Sequence, residues 1–172
     1  MNLKENLQYY SPFQKFSHWT IAVLCVIEFA TAEGIRKSHI GHAFGVKAPF
    51  WIQLRGAVHE WGGWLVLGLA IALVVSKIGQ GTPALPADMP LWQRLSANLA
   101  HAAIYLGLVA LVASGVAALH ISGRYAPLHI GLANWGTALI AIHVAAALWH
   151  QYMRKDHVLE RMWPKRKSRK PN

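Results

Sequence analysis

Four long apolar stretches constrain this chain more than any other feature of its sequence. They cover about residues 13–31, 57–78, 91–119 and 131–152. Each meets the roughly 20 mostly apolar residues that a helix needs to cross a bilayer. The chain is 54% hydrophobic and only 14% charged, whereas soluble domains carry roughly 25% charged residues. The sequence therefore predicts an all-α integral membrane four-helix bundle, with residues 1–172 forming a single membrane domain.

The composition also excludes several other classes of protein. It is too apolar for a disordered chain or for a nucleic-acid-binding domain with basic residues spread along it. The single cysteine, Cys25, excludes an internal disulfide framework and a zinc site with two or more cysteines. Much of the formal net charge of +10 comes from a basic tail over residues 154–172. We interpret this tail as a topology signal attracted to anionic lipid, not as a nucleic-acid-binding segment.

Lysine and arginine fall unevenly on the two sides of the predicted membrane. The N-terminal tail, the loop between helices two and three and the C-terminal tail carry 12 of the 17 basic residues, and the other two loops carry 5. The side richer in lysine and arginine faces the cytoplasm. Both termini are therefore expected to be cytoplasmic, which requires an even number of spans and agrees with four.

Histidines recur in every predicted span, where a polar side chain is costly and is a functional hypothesis by default. The set is His18, His59, His101, His129, His143 and His150. In helix four, His129 and His143 are 14 residues apart, which places them on one face and roughly 21 Å apart along the axis. No single metal ion could bind both at that distance. The separation suits two haems stacked across one bilayer, one near each leaflet.

Each of these haems needs a second axial ligand from another helix at the same depth. His59 lies near the periplasmic surface and is predicted to pair with His129. His18 lies near the cytoplasmic surface and is predicted to pair with His143. Two imidazoles fill both axial positions of the iron, which favours electron transfer over oxygen binding. The predicted ligands of haem iron are thus His18, His59, His129 and His143.

The remaining two histidines, His101 and His150, lie toward the cytoplasmic leaflet and are not needed for these pairs. They could be alternative ligands of the inner haem, or polar groups of a quinone pocket with a proton route to water. Lys77 and Arg94 lie near the same surface and could hold haem propionates or semiquinone charge. The plainer alternative for any one membrane histidine is a hydrogen bond between helices.

Several short motifs, in this order and spacing, resemble the bacterial cytochrome b-561 family of four-helix di-haem membrane cytochromes, which includes superoxide oxidase. The motifs are FSHW at 16–19, VHEWG at 58–62, LAHAAIYL at 99–106, LANWG at 132–136 and IHVAAALWHQY at 142–152. The resemblance implies two haem b groups, bis-histidine ligation at the four positions above, and electron exchange with ubiquinone. It also implies a multi-pass protein of the bacterial inner membrane.

Three functions are compatible with these predictions. In the first, a periplasmic donor passes electrons through the haems to the quinone pool. Superoxide is one candidate donor, which would make the chain an oxidoreductase of the superoxide:ubiquinone type. In the second, the cytochrome is the membrane subunit that anchors a periplasmic dehydrogenase or hydrogenase, and that protein is the donor. In the third, the histidines carry protons or a metal ion, a transporter that Glu28 and Glu60 within the spans would favour.

Overall fold

The computed structural model describes residues 9–43, 45–86 and 88–163, and it shows helices joined by short loops with no strand in that part of the chain. The long helices are α1 (Pro12–Ala43), α2 (Phe50–Gln80), α3 (Leu91–Val116) and α4 (Ala126–Trp149). All four are long enough and apolar enough to cross a membrane. The prediction of an all-α, four-span membrane protein is confirmed.

Short irregular turns extend α3 and α4. One π-helical turn, Ala117–Ile121, follows α3, and another, His150–Arg154, follows α4. A 3-10 turn, Gly123–Tyr125, leads into α4. The helical spans that include these turns run over Leu91–Ile121 and Gly123–Arg154, so both are longer than the apolar stretches that predicted them.

The helices continue beyond the apolar stretches because a helix, once formed, gains a backbone hydrogen bond with each added residue. It ends where the sequence supplies a stop. α1 runs on to Ala43, well past the apolar stretch that predicted it. Gly45 follows it with φ +69°, and α2 is closed by Gly81 with φ +80°. Both angles lie in the left-handed region, which glycine adopts without strain.

The start of α1 is fixed by a reciprocal cap. The Gln14 backbone N–H donates to Ser11 Oγ at 3.3 Å, and the Ser11 backbone N–H donates to Gln14 Oε1 at 3.1 Å. This satisfies two donors that a helix start would leave unpaired. Pro12 stands at the first helical position, where its missing N–H costs nothing.

The four helices run alternately up and down, so the bundle has two distinct ends. We call the end that holds the start of α1 and the α2–α3 loop the terminal end, and the other the opposite end. Near the opposite end α1 and α2 approach to backbone contact. A Cβ added at Gly34 would lie 2.6 Å from Arg55 Cβ and 2.7 Å from the Gly56 backbone nitrogen. Small residues permit such close packing between membrane helices.

The buried apolar core is small and lies at mid-depth. It consists of Val66, Ala70 and Leu108, with Ile21, Leu24, Cys25, Ile104 and Tyr105 packed against it. α4 contributes no buried residue, so the helices do not close on one continuous core. Val66 lies roughly 10 Å along α2 from His59. The core therefore separates an interior region near the terminal end from one near the opposite end.

The last part of the described chain folds back over the terminal end. Lys15 Nζ donates to the Trp163 carbonyl, and Trp19 Nε1 donates to the Met162 carbonyl, both at 3.0 Å. The Trp19 and Trp163 rings meet edge to face at 5.2 Å. These contacts attach the C-terminal segment to α1. Of the predicted basic tail, residues 164–172 lie outside the described residues.

Candidate functional site

The structure brings the four predicted ligands together as two pairs, one toward each end of the bundle. The ring centroids of His18 on α1 and His143 on α4 are 6.3 Å apart. Those of His59 on α2 and His129 on α4 are 6.2 Å apart. We call these the terminal pair and the opposite pair. α4 supplies one histidine to each, so the 14-residue spacing on this helix sets the distance between the two sites.

Both separations fit a single metal held between two imidazoles. A bond of about 2 Å from the metal to each nitrogen, and about 1 Å from that nitrogen to the ring centre, separate the two centroids by about 6 Å. Haem iron with two axial histidines has this arrangement. The side chains of both pairs therefore fit the group that the sequence predicts.

In the opposite pair, the His59 ring is oriented by Glu28 of α1. His59 Nδ1 lies 2.9 Å from Glu28 Oε2 and 3.0 Å from the Glu28 backbone carbonyl. Metal-binding histidines usually donate their second ring N–H to a carboxylate or carbonyl in this way. Because Nδ1 is engaged, Nε2 is the nitrogen left for a metal. Gly62 makes room for the carboxylate, since an added Cβ there would collide with Glu28 Oε1.

Its partner, His129, is oriented by neutral groups of α3. His129 Nδ1 lies 3.0 Å from the Leu111 carbonyl and 3.1 Å from Ser114 Oγ. Ser114 Oγ–H donates to the same carbonyl at 2.9 Å, so its oxygen accepts from His129. A Cβ added at Gly115 would lie 3.1 Å from His129 Cε1, and the absence of a side chain there lets the ring approach α3.

The terminal pair belongs to a cluster of three histidines. His101 of α3 meets the His143 ring edge to face at 5.0 Å, and its Nδ1 lies 2.7 Å from the Ala97 carbonyl of its own helix. His18 Nδ1 is buried without a hydrogen-bond partner among the described residues. The separation of 5.0 Å is shorter than two imidazoles on opposite sides of one metal require. His101 therefore packs against His143, whereas His18 is spaced to share a metal with it.

A polar group lies beside this cluster. Lys77 Nζ donates to Tyr105 Oη at 2.8 Å and lies 5.9 Å from the centre of the Tyr10 ring. Tyr105 lies one turn along α3 from His101, which places the Lys77–Tyr105 pair near the cluster. Burial is the main cause that raises the pKa of the Tyr10 phenol, so this hydroxyl stays protonated at neutral pH. Lys77 and Tyr105 thus offer hydrogen-bond donors near the terminal pair, and Tyr10 packs against Lys77.

Arg94 is placed differently from Lys77. Its Nε donates to the Met89 carbonyl at 3.0 Å, and its terminal nitrogen donates to the Pro86 carbonyl at 2.9 Å. Both acceptors belong to the α2–α3 loop. These contacts give Arg94 a role in fixing that loop.

His150 does not join the three clustered histidines through any ring contact in the described residues. Its Nδ1 pairs with Asp156 Oδ2, and Asp156 is only 6% exposed. Arg154 Nε lies 3.3 Å from the same carboxylate oxygen, and Arg154 also donates to Gln93 Oε1 of α3 at 2.9 Å. His150 is therefore part of the polar contacts that close the terminal end.

Reasoning from the sequence missed the partners of these histidines. It noted Glu28 as an acid within a span, which is itself a signal, but did not assign it to His59. Asp156 gave no comparable signal, because it lies beyond the predicted span. In the structure the chain turns back at Lys155, which has a φ of +56°, and this brings Asp156 to His150. Tyr10 and Tyr105 were missed because tyrosine is common at membrane interfaces.

The chain is similar in sequence to known proteins of one family. A family model described as prokaryotic cytochrome b561 matches residues 9–165. The chain is 28% identical over 180 residues to cytochrome b561 homolog 1 of Escherichia coli (strain K12), covering 92% of this chain and 98% of that protein. It is also 28% identical over 182 residues to a protein of Yersinia pestis named probable superoxide oxidase CybB, with the same coverage.

The family match covers most of the chain and all four membrane helices. Members of this family bind b-type haem and transfer electrons, a chemistry that the spacing of both histidine pairs fits. Four spans in such a chain place it in the bacterial inner membrane as a multi-pass protein. The chain therefore belongs to the prokaryotic cytochrome b561 family and is an inner-membrane cytochrome b of electron transport.

Proposed function

We propose that this cytochrome carries two b-type haems and passes electrons from a periplasmic donor to quinone near the cytoplasmic leaflet. His18 and His143 would hold the inner haem, and His59 and His129 the outer one. The observation that supports this most directly is the pair of ring separations, 6.3 and 6.2 Å, at two depths of the bundle. Two such pairs are what a path across a membrane requires, since each leaflet then has its own redox centre.

The proposed orientation has both termini in the cytoplasm. The terminal end carries Lys15, Lys77 and Arg94 together with the basic C-terminal tail, and the side richer in lysine and arginine faces the cytoplasm. The terminal pair would then serve the cytoplasmic leaflet, and the opposite pair the periplasmic leaflet.

When bound, the two haems would supply a one-electron path between these leaflets. The overall reaction balances with superoxide as donor: each superoxide gives up one electron and leaves as O2. Two such electrons and two protons from the cytoplasmic side convert one quinone to quinol. The chain's own part is to hold the two centres apart, orient their histidines and deliver the protons.

The terminal end offers the groups that quinone reduction needs. A quinone carbonyl requires a hydrogen-bond donor and, on reduction, a proton. Lys77 Nζ and Tyr105 Oη, 2.8 Å apart, are donors beside His101 and the terminal pair. His150 lies just after α4, in the π-helical turn, and is held by Asp156. We therefore place the quinone headgroup beside Lys77 and Tyr105, with His101 as the nearest histidine.

The opposite end favours an anionic donor. Lys47, Arg55 and Arg124 lie there, and a basic surface raises the local concentration of a small anion. Lys37 is partly neutralised by Glu33, which lies 3.6 Å away. The relative named as a probable superoxide oxidase supports superoxide as that anion.

The proposal is tested by supplying superoxide enzymatically to the purified protein with a soluble ubiquinone. Quinol should form at one molecule per two superoxide consumed, and superoxide dismutase should abolish it. Replacing Arg124 with Glu should slow the reaction several-fold at low salt and much less at high salt, because screening weakens attraction between exposed charges. Haem that stays oxidised under superoxide but accepts electrons from a copurifying polypeptide would contradict the proposal and favour the dehydrogenase or hydrogenase subunit.

A further inference from the structure

We infer that the Glu28 carboxylate makes the haem of the opposite pair the lower-potential centre, and so directs electrons from the opposite end toward the terminal end. This inference rests on the proposed function, because it takes the two histidine pairs as haem ligands. It assigns Glu28 as a positioning and tuning residue that acts through His59.

The two pairs differ in what their Nδ1 atoms meet. His59 Nδ1 is 2.9 Å from a carboxylate oxygen of Glu28. His129 Nδ1 meets only the neutral oxygens of Leu111 and Ser114. In the terminal pair, His18 Nδ1 has no hydrogen-bond partner within the described part of the chain. An anionic acceptor therefore stands behind one ligand of the opposite pair, and the described residues show none behind either ligand of the terminal pair.

The Glu28 carboxylate is enclosed between α1 and α2, and within the described structure its side-chain partner is His59. The Glu28 side chain is 17% exposed, and its second oxygen, Oε1, is buried without a hydrogen bond in the described structure. No lysine or arginine among the described residues pairs with it. Gly62 gives Oε1 its space, since a Cβ there would collide with it. An acid within a membrane span is costly and marks a function by default, and its partner here is His59.

A carboxylate behind a ligand changes the iron through that ligand. An Nδ1–H that donates to an anion makes the imidazole more basic, and a more basic ligand stabilises the ferric over the ferrous state. Hydrogen bonding beyond the ligands is one of the means by which a protein sets haem potential. The negative charge of Glu28 acts in the same direction. An electron that enters at the opposite end then moves downhill toward the terminal end, where quinone accepts it.

A purely structural role for Glu28 is the competing explanation, since its contact with His59 also ties α1 to α2. The two roles are separated by a potentiometric titration of the purified holoprotein. Glu28→Gln keeps the shape and a hydrogen-bond acceptor but removes the charge. We expect the variant to keep both haems and to raise one midpoint potential while the other stays in place. At a fixed applied potential, the ratio of reduced to oxidised haem should increase at least tenfold. For a one-electron couple this corresponds to a rise of about 59 mV in the midpoint potential.

The matched control is Ser114→Ala, which removes a neutral acceptor from the other ligand of the same pair and leaves the Leu111 carbonyl. Its shift should be at most about a third of the Glu28→Gln shift. The shifted potential is assigned by repeating the titration in a His18→Ala background, where only the haem of the opposite pair should remain. In that background the Glu28→Gln shift should persist in full.

A second variant covers the case in which Glu28→Gln loses haem. Gly62→Ala leaves Glu28 in the chain but displaces its carboxylate from His59, and it should raise the same potential. Two bound haems with neither potential moved in either variant would overturn the inference and leave the proposed function intact. A shift confined to the haem of the terminal pair would do the same. Fewer than two haems in the wild-type protein would overturn both.

Discussion

Replacing His129 with alanine should remove one haem from the protein and leave the other bound. The ring centroids of His129 and His59 are 6.2 Å apart. His129 lies roughly 21 Å along α4 from His143, which belongs to the terminal pair. The apolar core of Val66, Ala70 and Leu108 lies between the two sites, so the loss of one site should not open the other. Haem per chain, measured by pyridine haemochrome against protein concentration, should fall from two to one.

His59→Ala should give the same result, because either change leaves one axial position without its histidine. The matched control is His120→Ala, at the same end of the bundle, where His120 lies 3.4 Å from Glu60 and is largely exposed. It should keep both haems. Loss of both haems from a His129→Ala protein that still folds would contradict the separation into two sites, as would retention of both.

Replacing His18 with alanine should remove the other haem, whereas replacing His101 should not. The ring centroids of His18 and His143 are 6.3 Å apart, so the two imidazoles can share one metal. The ring centroid of His101 is only 5.0 Å from that of His143. His101 Nδ1 is also held by the Ala97 carbonyl, one turn earlier in the same helix. Both histidines are partly buried at the same end of the bundle, so each variant serves as the control for the other. Visible spectra and haem per chain distinguish the outcomes.

The His101→Ala variant should retain two haems and instead react more slowly with quinone, because His101 lies beside the Lys77 and Tyr105 donors. A His101→Ala protein that loses the haem while His18→Ala keeps it would exchange the roles of the two residues. It would also show that the ring separation is not what selects the ligand.

The four spans could be predicted from the sequence because apolar length fixes the number of crossings. The rise per residue fixes the depth of each histidine, which was enough to match His59 with His129. At the other end, depth favoured His18 with His143 but left His101 and His150 open as alternative ligands. The structure brings the same partners together, while their ligation of iron stays a prediction.

What the sequence could not predict depends on the rotation of one helix against another. Depth does not reveal that Glu28 faces His59, because that contact depends on the helix rotation that brings the Glu28 carboxylate into the space left by Gly62. His150 shows a related limit. Its backbone N–H still bonds to the Ala146 carbonyl, so it keeps the α-helical phase that its spacing from His143 implies. Its side chain pairs with Asp156, which lies beyond the chain reversal at Lys155 and could not be placed from helix geometry.

The ends of the helices were also beyond the sequence. α1 continues well past its apolar stretch to Ala43, because nothing in that segment stops a helix before Gly45. Apolar length measures only the part of a helix that lies in lipid. The extensions of α1 and α2 beyond these stretches lie at the opposite end, where the proposed outside donor would approach.

The central claim is that one chain holds two b-type haems, one in each histidine pair. It is tested most directly by a reduced-minus-oxidised visible spectrum of the purified wild-type protein, with haem quantified per chain. We predict a b-type spectrum and two haems per chain. A single haem per chain after haem-sufficient expression would contradict the claim, because it would leave one of the two pairs without the group that its 6 Å spacing fits.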